Sequence, residues 1–216
     1  MRLHPLAPVV GLDIDGTLAD YYGHFKWFAE LYLQRPLTIN WDYSDHAEFS
    51  EALGMDKETY RQIKLAYRQG AMKRCLPAFP GVGHMVRTIR EQHGVQVWIT
   101  TTRPWLRLDN IDPDTRFWLQ HHLGRVDGVI YGEDKYLDLR DIVGIDRIVG
   151  VVDDLPENVV AAQSLGIRAA LRAGGHNEVF RKSRREVQVA SNTSEMLAII
   201  EGWINTHKMI ERRFES

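Results

Sequence analysis

The stretch Val9-Val10-Gly11-Leu12-Asp13-Ile14-Asp15-Gly16-Thr17-Leu18 decides the fold. An apolar run from Ala7 to Leu12 that stops abruptly at Asp13 predicts a short buried strand. Alternation along Asp13-Ile14-Asp15 points both carboxylates to one side and Ile14 to the other. Gly16 then permits a tight turn.

Outward from this strand the chain divides in two. From residue 80 onward, strands and helices alternate. Pro80–His93 predicts a helix stopped by Gly94, and Val95–Thr100 a strand. Asp112-Pro113 predicts a helix start, with aspartate as N-cap and proline at the first helical position, running to Leu123. Val126–Tyr131, Arg147–Val152 and Ile167–Leu171 predict strands, with a helix over Pro156–Leu165. Val187–Ala190 and a helix from about Thr193 to Ile210 close the series. This order predicts an α/β fold: a Rossmann-like, mainly parallel sheet with right-handed crossovers and helices on both faces. The rhythm breaks early. Tyr21–Gln34, Asp42–Gly54 and Asp56–Gly70 all read as helices, the last two closed by glycine. Residues 21–76 are therefore expected to form a helical cap inserted after the first strand, and residues 1–20 with 77–216 the core.

Composition narrows the class. The 216 residues are 44% hydrophobic and 26% charged, which is globular. The formal net charge of −2 excludes a global basic field for non-specific nucleic-acid binding. One cysteine, Cys75, makes neither an internal disulfide nor a cysteine zinc cluster and has no motif around it. No apolar run approaches the roughly 20 residues that span a bilayer. The short, proline-broken N-terminus does not read as a signal peptide, and a cytoplasmic setting is expected.

In open parallel sheets, sites gather at the carboxyl ends of strands. Four such ends carry Asp13 and Asp15, then Thr100-Thr101-Thr102-Arg103, then Glu133-Asp134-Lys135 in a short loop, then Asp153-Asp154. Asp13, Asp15, Asp153 and Asp154 together need protonation, a cation, or both. Mg²⁺ is the natural hard cation for oxygen ligands, and Lys135 is a second positive charge. Such a site suits a phosphoryl group, and a carboxylate beside it can attack phosphorus to form an aspartyl-phosphate.

This ordered set resembles the haloacid dehalogenase superfamily of phosphotransferases. VVGLDIDGTL is similar to its first motif, VWIT (Val97–Thr100) to its second, Lys135 to its third, and VVGVVDD ending at Asp154 to its fourth. The cap position matches the superfamily's commonest insertion site. The resemblance implies Asp13 as nucleophile and Asp15 as general acid and then base, with its backbone carbonyl on the metal. It implies that Thr100 holds phosphate oxygens, that Lys135 screens Asp13, and that Asp153 and Asp154 complete the Mg²⁺ site. A carboxylate among carboxylates is also expected to have a raised pKa, which suits Asp15 as an acid. The presence of Asp15 favours hydrolysis of a phosphate monoester.

Substrate rests on the cap. Residues 21–60 hold ten Phe, Tyr or Trp, where the chain's average of 10% would give four. They supply the cap's own core, or some of them stack on a nucleobase, with Tyr22, Phe25 and Trp41 as candidates. The cap size, the DIDGTLAD start and the TTTRP loop resemble the 5′(3′)-deoxyribonucleotidase group and related phage and bacterial proteins. A deoxynucleoside monophosphate is the expected substrate, with Thr101 and Arg103 at the second motif as further substrate-binding candidates. Arg103 either forks onto an anion or is a solvated loop arginine. Lys73 and Arg74, where the cap returns to the core, either reach an anion or, as the expected reading, are solvated hinge charges. His121 and His122 read as structural residues favouring the negative end of their helix. The run Arg181, Lys182, Arg184 and Arg185 reads as a solvated helix face. Its alternative is a strand path for a polynucleotide 3′-phosphatase, and other phosphorylated metabolites stay open. A non-enzymatic binding protein would not need the complete motif set.

Overall fold

The computed structural model describes residues 3–41, 48–104 and 106–214, the last four by their backbone alone. Six parallel strands form one sheet, in the order β3-β2-β1-β4-β5-β6. They are β1 (Val9–Leu12), β2 (Gln96–Thr101), β3 (Gly128–Tyr131), β4 (Ile148–Asp153), β5 (Ala169–Arg172) and β6 (Gln188–Ala190). The chain builds outward from β1 through β2 to β3, then returns to add β4, β5 and β6 on the other side. The reversal between β1 and β4 is a topological switch point, where a crevice opens beyond the strand ends.

β1 and β4 are buried along their whole length, so both read as apolar runs without a polar face. Alternation sends Val10 and Leu12 to one side, against α4 (Val82–Arg87), α5 (Ile111–His122) and α9 (Thr193–Phe214). Val9 and Val151 face the other side, against α6 (Lys135–Val143) and α7 (Pro156–Ser164). A shorter α8 (Glu178–Ser183) follows β5.

Between β1 and α4 lie α1 (Tyr21–Leu33), α2 (Phe49–Ala52) and α3 (Lys57–Gln69). Asp20 caps α1 by accepting from the Gly23 amide at 3.0 Å, and Asp56 caps α3 by accepting from Thr59 at 2.8 Å. These helices enclose a third apolar cluster that includes Phe25, Ile63 and Tyr67. The expected helix Asp42–Gly54 survives as Phe49–Ala52, and its residues 42–47, Tyr43 included, lie outside the described residues.

Three local expectations change. The helix over Pro80–His93 widens after Arg87 into a π turn, closed by the His93 amide on the Thr88 carbonyl. α5 begins at Ile111 with Asn110 as cap, so Asp112 is not the N-cap and Pro113 falls later in the first turn, where no amide donor is needed. Asp112 instead accepts from Arg116 and from the Tyr131 hydroxyl at 2.8 Å. Lys135 lies not in a loop but at the first position of α6. Among the described residues, no helix is long and apolar enough to cross a membrane.

Candidate active site

Sheet register gathers the strand ends. Leu12 of β1 pairs with Ile99 of β2 and with Val152 of β4. Asp13, Thr100 and Asp153 therefore leave three adjacent strands at one level, and the Asp13 amide donates to the Val152 carbonyl at 3.0 Å. From the start of α6, buried Lys135 reaches back under them. Its Nζ donates to Asp13 Oδ1 at 2.6 Å and to the Thr100 carbonyl at 3.2 Å, and lies 2.6 Å from Asp153 Oδ2. Thr100 Oγ1 is buried with no hydrogen-bond partner among the described residues.

Asp13, Asp153 and Asp154 are all buried, and one carboxylate oxygen from each lies within 4.8 Å of the others. Burial first, then Asp153, Asp154 and Asp15, push Asp13 well above the usual carboxylate range, against the pull of Lys135. Asp153 is held low despite burial, because Lys135, the Tyr136 hydroxyl and the Leu155 amide all favour its charge. Asn158 Nδ2 adds a bond at 3.1 Å. Burial, together with Asp153, raises Asp154, against the pull of His176 and the Tyr22 hydroxyl. Asp154 Oδ2 lies 2.9 Å from His176 Nε2 and accepts from Tyr22 at 3.0 Å. Gly16, at φ +95°, packs so closely that an added Cβ would lie 2.0 Å from Asp154 Oδ2. One lysine among three buried carboxylates leaves a charge deficit that a divalent, oxygen-liganded cation such as Mg²⁺ fits, and Asp13, Asp153 and Asp154 would hold it.

The Asp15 side chain turns away from this cluster. It is clamped by Lys73 and by Arg103, whose Nη2 donates at 2.6 Å and Nε at 3.2 Å. Arg103 Nη1 also donates to Thr115 Oγ1 at 2.9 Å. Burial alone would raise the Asp15 pKa, but Arg103 and Lys73 outweigh it and hold the carboxyl far below its ordinary value. The expectation of a raised pKa at Asp15 is thus reversed, since its neighbours are cations rather than carboxylates. Asp13 carries the raised value instead. Lys73 is no solvated hinge charge either. It is buried and lies 4.0 Å from the Tyr21 ring centroid, and burial pulls its pKa down to about 7. Arg74 is paired at 3.1 Å with Asp114.

A predicted phosphoglycolate phosphatase from Haemophilus somnus superposes with a TM-score of 0.62 at 16% identity, covering 90% of this chain and 98% of that one. A haloacid dehalogenase-like family hydrolase from Streptococcus pneumoniae gives 0.58 at 14% identity, over 91% and 99%. The fold is that of the haloacid dehalogenase superfamily. No family model matches the chain. A predicted 5′(3′)-deoxyribonucleotidase from Chlorobaculum tepidum is 24% identical over 167 residues, 74% of this chain and 75% of that protein.

Beside the charged centre, a cavity of about 880 Å³ lies between α1–α3 and the segments after β4 and β5. Tyr22, Trp41, Phe49, Tyr60 and His176 line it. Trp41 stacks on Phe49 at 5.4 Å between centroids and 15° between planes, while Tyr22 meets both edge-on. Tyr22 and Trp41 are thus placed at the cavity. Phe25 is not: it is fully buried in the α1–α3 cluster, so no ligand can stack on it. Strand alternation turns Thr101 away from Thr100's side, and its carbonyl accepts from the Gly132 amide at 3.0 Å. Arg103 is committed to Asp15 and Thr115 rather than to solvent. Sequence reading passed over His176, Tyr136 and Asn158. His176 was within reach, because it follows the end of β5 as the other site residues follow their own strands.

Proposed function

We propose that the protein is a divalent-metal-dependent phosphatase that hydrolyses phosphate monoesters through an aspartyl-phosphate on Asp13. The observation that supports this most strongly is the meeting of Asp13, buried Lys135 and the unpartnered Thr100 hydroxyl beside the Asp153–Asp154 pair. Thr100 Oγ1 has hydrogen-bonding capacity to offer a phosphate oxygen, and Lys135 offsets charge on Asp13 and the phosphoryl group. A metal held by Asp13, Asp153 and Asp154 would supply charge neutralisation for the phosphoryl oxygens.

In the first half-reaction an Asp13 carboxylate oxygen bonds to phosphorus, the ester P–O bond breaks, and the leaving oxygen takes a proton from Asp15. In the second, Asp15 takes a proton from water, whose oxygen bonds to phosphorus and releases phosphate from Asp13. The Lys73–Arg103 clamp holds Asp15 deprotonated, the state from which the second role starts, and must loosen for Asp15 to take a proton. For the first, Asp15 must gain a proton as it gives up part of that clamp.

Residues 21–76 act as a cap over a core of 1–20 and 77–216. The aromatic cavity beside the charged centre favours a substrate with a flat ring, and a deoxynucleoside 5′-monophosphate is the first candidate. The likeness to the Chlorobaculum tepidum protein supports the same class. Phosphate release is measured across 5′- and 3′-mononucleotides, ribo and deoxy, sugar phosphates and a 3′-phosphorylated oligonucleotide, with and without Mg²⁺. Asp13→Asn serves as the blank. Mg²⁺-dependent release, greatest from deoxymononucleotides, is expected. Equal release from sugar phosphates would remove the nucleotide assignment, and no release from any substrate would remove the phosphatase.

A further inference from the structure

We propose that Lys64 and Arg68 of α3 form an anion subsite for a second negatively charged group on the substrate, a phosphate or a carboxylate distinct from the phosphoryl that reacts. This rests on the phosphatase reading and goes beyond its first substrate candidate, since a nucleoside monophosphate carries no anion besides the phosphoryl that reacts.

Lys64 and Arg68 are one helical turn apart and so lie on one face of α3, where like charges repel. Lys64 is half-buried in the cavity wall, with its Nζ 5.2 Å from the Tyr60 ring centroid. Burial and then Arg68 push its pKa below the ordinary lysine value. Arg68 Nε is buried and has no hydrogen-bond partner among the described residues. An unpaired buried donor of this kind is unfavourable.

No carboxylate among the described residues forms an ion pair with either side chain. Glu48, also in the cavity wall, is taken by Lys57 at 3.1 Å. Asp15 is taken by Lys73 and Arg103. Lys64 and Arg68 thus add two cations to which no carboxylate among the described residues is directly paired. The reacting phosphoryl already has Thr100 and Lys135, so the α3 pair is surplus to it. A second anion entering the aromatic cavity beside Lys64 would relieve the Lys64–Arg68 repulsion.

The test is equilibrium binding by calorimetry to Asp13→Asn protein, which removes turnover from the readout. Two matched pairs are compared: a deoxynucleoside 5′-monophosphate with its 3′,5′-bisphosphate, and an alkyl phosphate with a phosphorylated carboxylic acid of equal length. The doubly anionic member of at least one pair is expected to bind about tenfold tighter or more. Which pair responds distinguishes phosphate from carboxylate. Adding Lys64→Gln, or separately Arg68→Gln, should bring that ratio down to about threefold or less, and Lys64→Arg should restore it. Ratios near one in both pairs before any further substitution overturn the subsite, whatever the variants do. So does a preference that outlasts both glutamine substitutions in folded protein. Phosphate release by the wild-type chain reports separately on the phosphatase reading. A chain that turns over substrate but shows no binding preference loses the subsite alone, whereas a Lys64-dependent preference without turnover loses the reaction alone.

Discussion

Asp13 sits among Asp153, Asp154 and Asp15 with one buried lysine to balance it, and Asp15 sits between two cations. The same residue type at positions two apart therefore answers the same substitution in opposite ways. Asp13→Asn removes a charge that burial and its neighbours disfavour. It should abolish turnover and yet raise metal-free stability by on the order of 1 kcal/mol, or roughly 2–4 °C in Tm for a chain of this size. Asp15→Asn strips Lys73 and Arg103 of their counter-charge. It should lower turnover about 10²–10⁴-fold and cost about 3–5 kcal/mol of stability. Thermal melts in chelator check both. The pH dependence follows from the sign of the Asp13 shift. Its folded pKa lies above its unfolded one, so the folded state holds the extra proton between the two. This contribution is present at low pH and is lost as pH rises through the folded value. In chelator, wild type should lose stability relative to Asp13→Asn on moving from the ordinary carboxylate range upward. Added Mg²⁺ should close the gap, because the cation takes the proton's place. A pH-independent difference between the two melts would contradict the raised Asp13.

At the scale of elements, α1 and the segment after it divide their aromatics between packing and contact with the cavity. Phe25 is fully buried beside Tyr67, whereas Trp41 lines the cavity on top of Phe49. Phe25→Ala should therefore cost about 3–5 kcal/mol of stability. Trp41→Ala should cost less stability and weaken nucleotide binding by about 1–3 kcal/mol per lost stack, read as a rise in KM. Chemical denaturation and steady-state kinetics on the same samples separate the two. Composition reveals the excess of aromatics but not this division, because the face of α1 that is covered depends on where α3 packs. Other parts of the site were legible for the opposite reason. Asp13, Thr100 and Asp153 lie where apolar strands stop, and a strand stop is a local signal. Lys135 sits in the first turn of a helix rather than a strand end, so its residue was found while its setting was not. The Lys73–Arg103 clamp joins residues 58 and 88 positions from Asp15, and nothing local marks those distances.

The whole chain carries 27 basic and 29 acidic residues, so any polynucleotide path must come from a local patch. The only run dense enough to propose from sequence is Arg181–Arg185, and the fold has engaged most of its cations. Arg181 donates to Asn177 Oδ1 at 2.9 Å, Lys182 pairs with Glu178 at 2.7 Å, and Arg184 lies 3.4 Å from Glu186. A path contacting 6–10 phosphates would lose about 10³–10⁵ in affinity between 50 and 200 mM salt. A substrate that brings one or two phosphates into a preformed pocket releases few counterions, and its kcat/KM should change less than about tenfold over the same range. Initial rates on a deoxymononucleotide and on a 3′-phosphorylated oligonucleotide, at both salt concentrations, distinguish the two. A shallow salt dependence with no advantage for the oligonucleotide is expected. A steep loss confined to the oligonucleotide, starting from a higher rate at low salt, would extend the substrate path from the cavity along α8, whose Phe180 and Ser183 already line it.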